Sequence, residues 1–415
     1  MIMTGKTETR DPRPETRIPG SRALFRALML PPVLLVVLAA AQSIRAQTLT
    51  TLHSFAGGSD GSYPSGALVR NSAGTLSGTT QTGGQNWGTV FRVTASGVES
   101  VLYSFGLPPD GEEPSYGALV HDKAGNVYGT TFQGGAGFGT VFKLSPKGKE
   151  EVLYAFQGGS DGGYPKGSLV IDSAGDLYGN TDEGGGTGCG GAGCGTVFEI
   201  SPTGQETILH IFTGTPDGAN PQSGLVKDTE GNLYGTTLSG GASNYGAVFR
   251  VSPAGEETVL YSFAGPPDGA YPFAALYLSG DLFGTTLAGG KSTLCSPGCG
   301  TVFKLTKAGK ESVLYGFSGL ADGSQPFGGL ARDKTGDLYG TTFGGGNTAC
   351  NGGGGCGTIF KLTRENAFTT LYSFTGATDG ANPDAGVILD SSGNLYGTAY
   401  FGGASNRGVV FELKP

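Results

Sequence analysis

The chain has 415 residues, 79 of them glycine and 22 proline, yet it also carries 17 Tyr and 23 Phe and is 37% hydrophobic. That aromatic content excludes a disordered low-complexity chain and predicts a folded, turn-rich protein. The formal net charge of −8 disfavours nucleic acid and anionic lipid as partners, since both require positive charge.

At the N-terminus, Arg22 and Arg26 precede the apolar run ALMLPPVLLVVLAAA, which is too short for a bilayer span of about 20 residues. It has the form of an export signal, with Ala39 and Ala41, or Ala46, as the small residues of a cleavage site. Residues 1–46 are therefore assigned to a signal peptide with an N-terminal extension, and 47–415 to the folded part. No cysteine follows the run, so a lipid anchor is not expected. Loss of the first 46 residues leaves 19 basic against 31 acidic side chains, a net charge of −12. No later segment is apolar enough to predict a membrane span.

From residue 47 onward one unit recurs, approximately DGxxPxGALVxDxxGNLYGTTxxGGxxxGTVFKLSPxGxExxLYSF. Its closing phenylalanine returns at Phe55, Phe105, Phe156, Phe212, Phe263, Phe317 and Phe374. Each unit holds apolar runs of four to seven residues rich in Val, Tyr, Phe and Thr, separated by Gly, Pro, Asn or Asp, the pattern of short strands. In the second unit the strands are GALVHD, NVYGTT, GTVFKL and EEVLYAF, and the connections KAG and SPKGK are tight enough to force antiparallel neighbours. A β-helix needs parallel pairing and is excluded. The fold class is all-β, a seven-bladed β-propeller of four-stranded antiparallel blades.

The phase of the repeat predicts how the ring closes. The folded part opens with TLTTLHSF, a fourth strand lacking the preceding three, and ends with GVVFELKP, a third strand lacking a fourth. Pairing the first strand with the last three removes an exposed sheet edge. First strands converge on the axis, and each begins with two small residues, such as Gly117 and Ala118 or Gly328 and Gly329, as crowding there demands.

The LYGTT, GG, GTVFKL and LYSF blocks, recurring in order seven times, resemble the GloVer tandem-repeat proteins of bacterial surfaces and secretomes. The resemblance covers residues 48–415 and implies an exported bacterial repeat protein. It carries over no activity, substrate or catalytic residue. The chain stops at Lys414 and Pro415 without a sorting segment, so the expectation is a soluble secreted or periplasmic monomer.

Loops joining strands two to three, and strand four to the next blade, emerge on one face, and length and chemistry vary there. Function concentrates where a rigid scaffold tolerates variation. Three of the seven two-to-three loops are enlarged, including GGGTGCGGAGC, and each holds a cysteine pair: Cys189 with Cys194, Cys295 with Cys299, Cys350 with Cys356. In an exported chain these predict three local disulfides. A zinc site would have to draw thiolates from different blades without a nearby histidine, and no metal or cofactor is expected.

The other four loops carry Trp87, Phe138, Tyr245 and Arg407 where the second cysteine falls. These side chains either fold over their own loops or form a contact surface for a sugar or a protein. An Asp-Gly pair enters every blade, at Asp60, Asp110, Asp161, Asp217, Asp268, Asp322 and Asp379. The carboxylates either cap their own turns or bind calcium, the former being favoured because no carboxylate ladder is present. His53, His121 and His210 fall in or at the ends of strands and are expected to be structural.

The candidate acids for catalysis are Asp182 and Glu183, with Glu112 and Glu113 on the neighbouring blade, since a carboxyl pair suffices for sugar hydrolysis. The expected function is a non-enzymatic binding module for an extracellular glycan or surface protein. The alternatives are a carbohydrate-active enzyme using Asp182 or Glu183, and a structural surface protein.

Overall fold

In a computed structural model of the protein, residues 47–114 and 116–415 are described. The signal peptide expected at residues 1–46 lies outside them. Seven four-stranded antiparallel sheets follow one another along the chain. In the second blade the strands are Val120–His121, Val127–Thr131, Thr140–Leu144 and Glu150–Ala155. The other blades repeat this plan.

Ring closure is as the repeat phase predicts. Thr48–Ser54 is the fourth strand of the sheet whose other members are Ile388–Leu389, Leu395–Ala399 and Val409–Lys414. Thr48 stands opposite Lys414, and Ser54 opposite Val409. The ring is thus fastened by backbone hydrogen bonds between the two ends of the folded part.

The repeated aromatics account for the core. Each closing Phe is buried and meets the Phe of the next blade's GTVF block, from Phe55 on Phe91 to Phe374 on Phe411, with centroids 4.9–5.3 Å apart and interplanar angles of 60–72°. Edge-inclined pairs of this kind add about 1 kcal/mol each beyond the area they bury. The glycine of each LYGTT block makes room for the GTVF ring. A Cβ on Gly129 would lie 2.7 Å from Phe142 and 2.9 Å from Leu119, closer than packed atoms tolerate.

At the axis the paired small residues are needed for the same reason. A Cβ on Gly66 would lie 2.7 Å from the carbonyl of Gly117, and one on Gly117 would lie 2.8 Å from that of Gly167. Second-strand side chains link neighbouring blades there. The Asn180 amide donates to the Ser223 carbonyl at 2.7 Å and the Thr341 hydroxyl to that of Ala385 at 2.8 Å.

Candidate functional site: the loop face and the axial mouth

On the loop face, the segment entering each blade pairs with the start of that blade's two-to-three loop, as in Gly111–Glu112 with Gln133–Gly134 and the bridge Gly163 to Glu183. This draws two loops into one two-stranded tab per blade. At its bend sits a residue with positive φ: Tyr63, Glu113, Tyr164, Asn220, Tyr271, Gln325 and Asn382, at +54° to +62°. Non-glycine residues adopt this conformation only when the surroundings enforce it. The enforcing contact is a backbone bond to the preceding blade. The bend residue's N–H donates to the carbonyl of Arg407, Trp87, Phe138, Cys194, Tyr245, Cys299 or Cys356 in turn, at 2.7–2.9 Å.

The cysteines and large residues therefore occupy equivalent places, as their alignment predicts. The three disulfides form within their own loops, Cys189–Cys194, Cys295–Cys299 and Cys350–Cys356. They lie beside Gly214, Gly319 and Gly376 of the segment entering the next blade. Phe138 lies over Gly158, Tyr245 over Gly265 and Arg407 over Gly57, the corresponding glycines of their neighbours. Arg407 also stacks its guanidinium on Tyr63, 5.2 Å from the ring centroid, and donates to the Tyr63 hydroxyl. Trp87 packs on the buried cluster of Val90, Phe105 and Leu119. Each of the four side chains thus seals one blade against the next, with Arg407 exposed and the three aromatics half-buried.

The Asp-Gly carboxylates are turn caps in every blade. Each accepts the N–H of the residue after the closing Phe, from Ala56 to Asp60 at 2.8 Å through to Thr375 to Asp379 at 2.8 Å. Each also meets the side chain two residues before that Phe. This is tyrosine in five blades, such as Tyr261 to Asp268 at 2.9 Å. In the other two it is histidine, with His53 3.4 Å from Asp60 and His210 3.3 Å from Asp217. Two of the three histidines are therefore structural substitutes for tyrosine, while His121 buries an Nε2 without a hydrogen-bond partner.

Beside five of these caps lies the first residue of the next fourth strand: Glu99, Glu150, Glu206, Glu257 or Glu311. Burial, and then the nearby Asp-Gly carboxylate, pushes each of these glutamates up to about 7. One oxygen of each is buried with no hydrogen-bond partner. Among the described residues, His210, Asp217 and Glu257 bring their ligand atoms within 4.8 Å of one another and could offer three donors to a cation. The same rim cap recurs with His53, Asp60 and Glu99, and, with tyrosine in place of histidine, in the other three blades that carry a rim glutamate.

Two inner rings surround the axis on this face. The first residue of each two-to-three loop supplies one: Gln81, Phe132, Asp182, Leu238, Leu287, Phe343 and Tyr400. The segment after each entry proline supplies the other: Ser65, Tyr116, Lys166, Gln222, Phe273, Phe327 and Asp384. The two rings interlock unevenly. Lys166 binds the Asp182 carboxylate at 3.0 Å, Gln222 donates to the same carboxylate at 2.9 Å, and the lysine ammonium lies 5.0 Å from the Phe132 ring centroid. Tyr116, whose ring centroid lies 6.0 Å from the same ammonium, begins a chain of edge-inclined rings with Phe273, Phe327 and Phe343, centroids 5.3–5.7 Å apart.

Sequence reasoning singled out Asp182 and Glu183 together, and the structure separates their surroundings. Asp182 is buried in the Lys166 and Gln222 contacts, whereas the Glu183 backbone pairs with Gly163. Glu112 lies in the tab of its own blade, its carboxyl pushed up by burial and then by Glu113 and Asp110. Lys166, Gln222 and Asp384 were missed. The available signal is that the position after the recurring proline differs from copy to copy while its surroundings repeat.

Beneath this mouth the first strands enclose a cavity of about 330 Å³, to which all seven blades contribute, with Tyr116, Phe273, Phe327 and Asp384 at its upper end and Leu68, Leu330, Val387 and Ile388 below. Asp384 is remote from bulk solvent although its side chain faces the cavity, and burial pushes its carboxyl up to about 7. Its charge raises the Tyr116 and Tyr400 hydroxyls, with burial the larger cause for both.

These features define a closed repeat propeller with a chemically varied loop face. The chain belongs to the Gloeobacter/Verrucomicrobia repeat family, whose model matches residues 41–192, 189–353 and 295–415. No curated protein matches it. Among solved structures, it is similar to the extracellular domain of a protein described as a one-component system from B. thetaiotaomicron, at 9% identity and a TM-score of 0.54, covering 88% of this chain and 40% of that one. The chain thus spans less than half the length of that neighbour. It is also similar to a fungal alcohol oxidase of the AA5 family solved with copper, at 14% identity and a TM-score of 0.52, covering 89% and 76% of the two chains. A gluconolactonase from Xanthomonas campestris aligns over 88% of this chain and 89% of its own, at 10% identity and a TM-score of 0.43. At such identities the likeness concerns the propeller fold.

Proposed function

We propose that the protein is an exported, non-enzymatic binding module that holds an extracellular glycan or surface protein against its loop face. The observation that carries this reading is internal to the chain. Scaffold positions such as the closing Phe and the Asp-Gly cap repeat in all seven blades, while the rings around the axis change residue from blade to blade. A purely structural repeat has no need to diversify one face. The three disulfides support export to an oxidising compartment.

The contact surface centres on Lys166, Gln222, Phe132 and Tyr400, and extends outward to Trp87, Phe138, Tyr245 and Arg407. The ion pair and amide bond at Asp182 favour a positioning role for that carboxylate over acid-base work. The test is a glycan array and an envelope pull-down with the protein and its Trp87→Ala and Gln222→Ala variants. A hit weakened by either substitution supports the reading. Release of reducing ends from a polysaccharide, abolished by Asp182→Asn, would replace it with a hydrolase.

A further inference from the structure

Asp384 is the one acidic residue among those lining the axial cavity, and among the described residues no hydrogen-bond or ion-pair partner for it is found. The one basic residue of the two inner rings is Lys166, and its ammonium is taken by Asp182. Elsewhere in the molecule, nearer the surface, Asp172 is matched by Lys227, Asp228 by Lys307 and Asp337 by Lys361, whereas one oxygen of each rim glutamate is buried without a partner. A carboxylate enclosed by apolar walls and left unmatched is unfavourable.

The groups around it are suited to one kind of ligand. Tyr116, Phe273 and Phe327 line the same end of the cavity as Asp384, and aromatic rings attract cations through their quadrupoles. The partly exposed Ala67, Val69 and Ile388 also line the cavity and suit an apolar body. The volume lies at the lower end of the range of small-molecule sites, roughly 300–1,000 Å³. An anion would meet Asp384 unfavourably, and a neutral ligand would supply no counter-charge to its ionised form.

We propose that the axial cavity is a binding site for a small organic ammonium ion, with Asp384 as its counter-ion and Tyr116, Phe273 and Phe327 as its aromatic wall. This site goes beyond the loop-face reading and stands without it, because its ligand is held inside the ring and not across the loops.

The test is isothermal titration of the full-length protein with choline and with glucosamine, against their neutral counterparts 3,3-dimethylbutanol and N-acetylglucosamine. At least one cation binds, and its neutral counterpart binds about tenfold or more weakly, as a loss of more than ~1.4 kcal/mol requires. Asp384→Asn, which preserves shape, abolishes that preference. Should Asp384→Asn fail to fold, Phe327→Leu serves, lowering affinity for the cation several-fold without changing that for the neutral analogue. Equal binding of cation and neutral analogue, binding unchanged in the variant, or no binding of either cation at millimolar concentration overturns the proposal. Glycan-array results do not bear on it, so the two readings fail separately.

Discussion

The five rim glutamates make stability depend on pH in a direction opposite to that of ordinary salt-bridged proteins. Glu99, Glu150, Glu206, Glu257 and Glu311 are pushed from 4.5 up to about 7 by burial beside an Asp-Gly carboxylate. The folded protein therefore holds more protons than the unfolded chain between those values, and stability falls as pH rises from about 4.5 through 7. Fully shielded from solvent, one such group corresponds to roughly 3 kcal/mol. These side chains are only partly buried, and screening reduces the figure to about 1 kcal/mol each, or ~5 kcal/mol for the set. For a chain of this length the unfolding entropy is roughly 0.8 kcal/mol/K, so Tm drops by about 6 °C between pH 5 and pH 8. Circular dichroism melts across that range measure the drop, and a variant with all five glutamates changed to glutamine should lose a large part of it; the buried Asp384 carboxyl, also pushed up to about 7, adds to the drop, and His53 and His121, lowered by burial, oppose it. A Tm that is flat or rises from pH 5 to pH 8, or a drop left unchanged by the five substitutions, refutes the reasoning. Below pH 4 the sign reverses, because Asp122, Asp172, Asp333 and Asp390 are held below the usual carboxylate range by hydrogen bonds that outweigh their burial, and that stability is lost on protonation.

Other substitutions probe the scaffold and the mouth. Lys166→Met leaves the buried Asp182 carboxylate with Gln222 alone, and chemical denaturation should register a loss of about 3 kcal/mol. Gly129→Ala drives a methyl group into Phe142 and Leu119 and should cost roughly 1–3 kcal/mol by the same measurement. Reduction of the three disulfides should remove up to ~2 kcal/mol per ring while leaving the far-ultraviolet spectrum intact, because each ring closes only a short loop. Deleting residues 47–54 strips the strand that pairs with Val409–Lys414; light scattering should then show aggregation through the bared edge.

The blade number, the strand order, the ring closure, the disulfide pairs and the capping role of the Asp-Gly carboxylates were all legible in the sequence. Each rests on interactions within one unit or on the phase of the repeat, and seven copies restate the same local physics. Legible too was the equivalence of Trp87, Phe138, Tyr245 and Arg407 with the second cysteine of the enlarged loops. What those side chains touch was not, because Phe138 meets Gly158 and Arg407 meets Gly57 across a boundary between blades.

The axial mouth belongs wholly to the tertiary structure. Lys166, Asp182 and Gln222 come from two blades, and Asp384 reaches the cavity that Gln222 also lines from a position more than one hundred and fifty residues further along the chain. Periodicity fixes what every blade has in common, since strands, turns and caps depend on neighbours along the chain. Which odd residues meet at the centre depends on bending seven such units into a circle, and a circle places side by side what the chain keeps far apart.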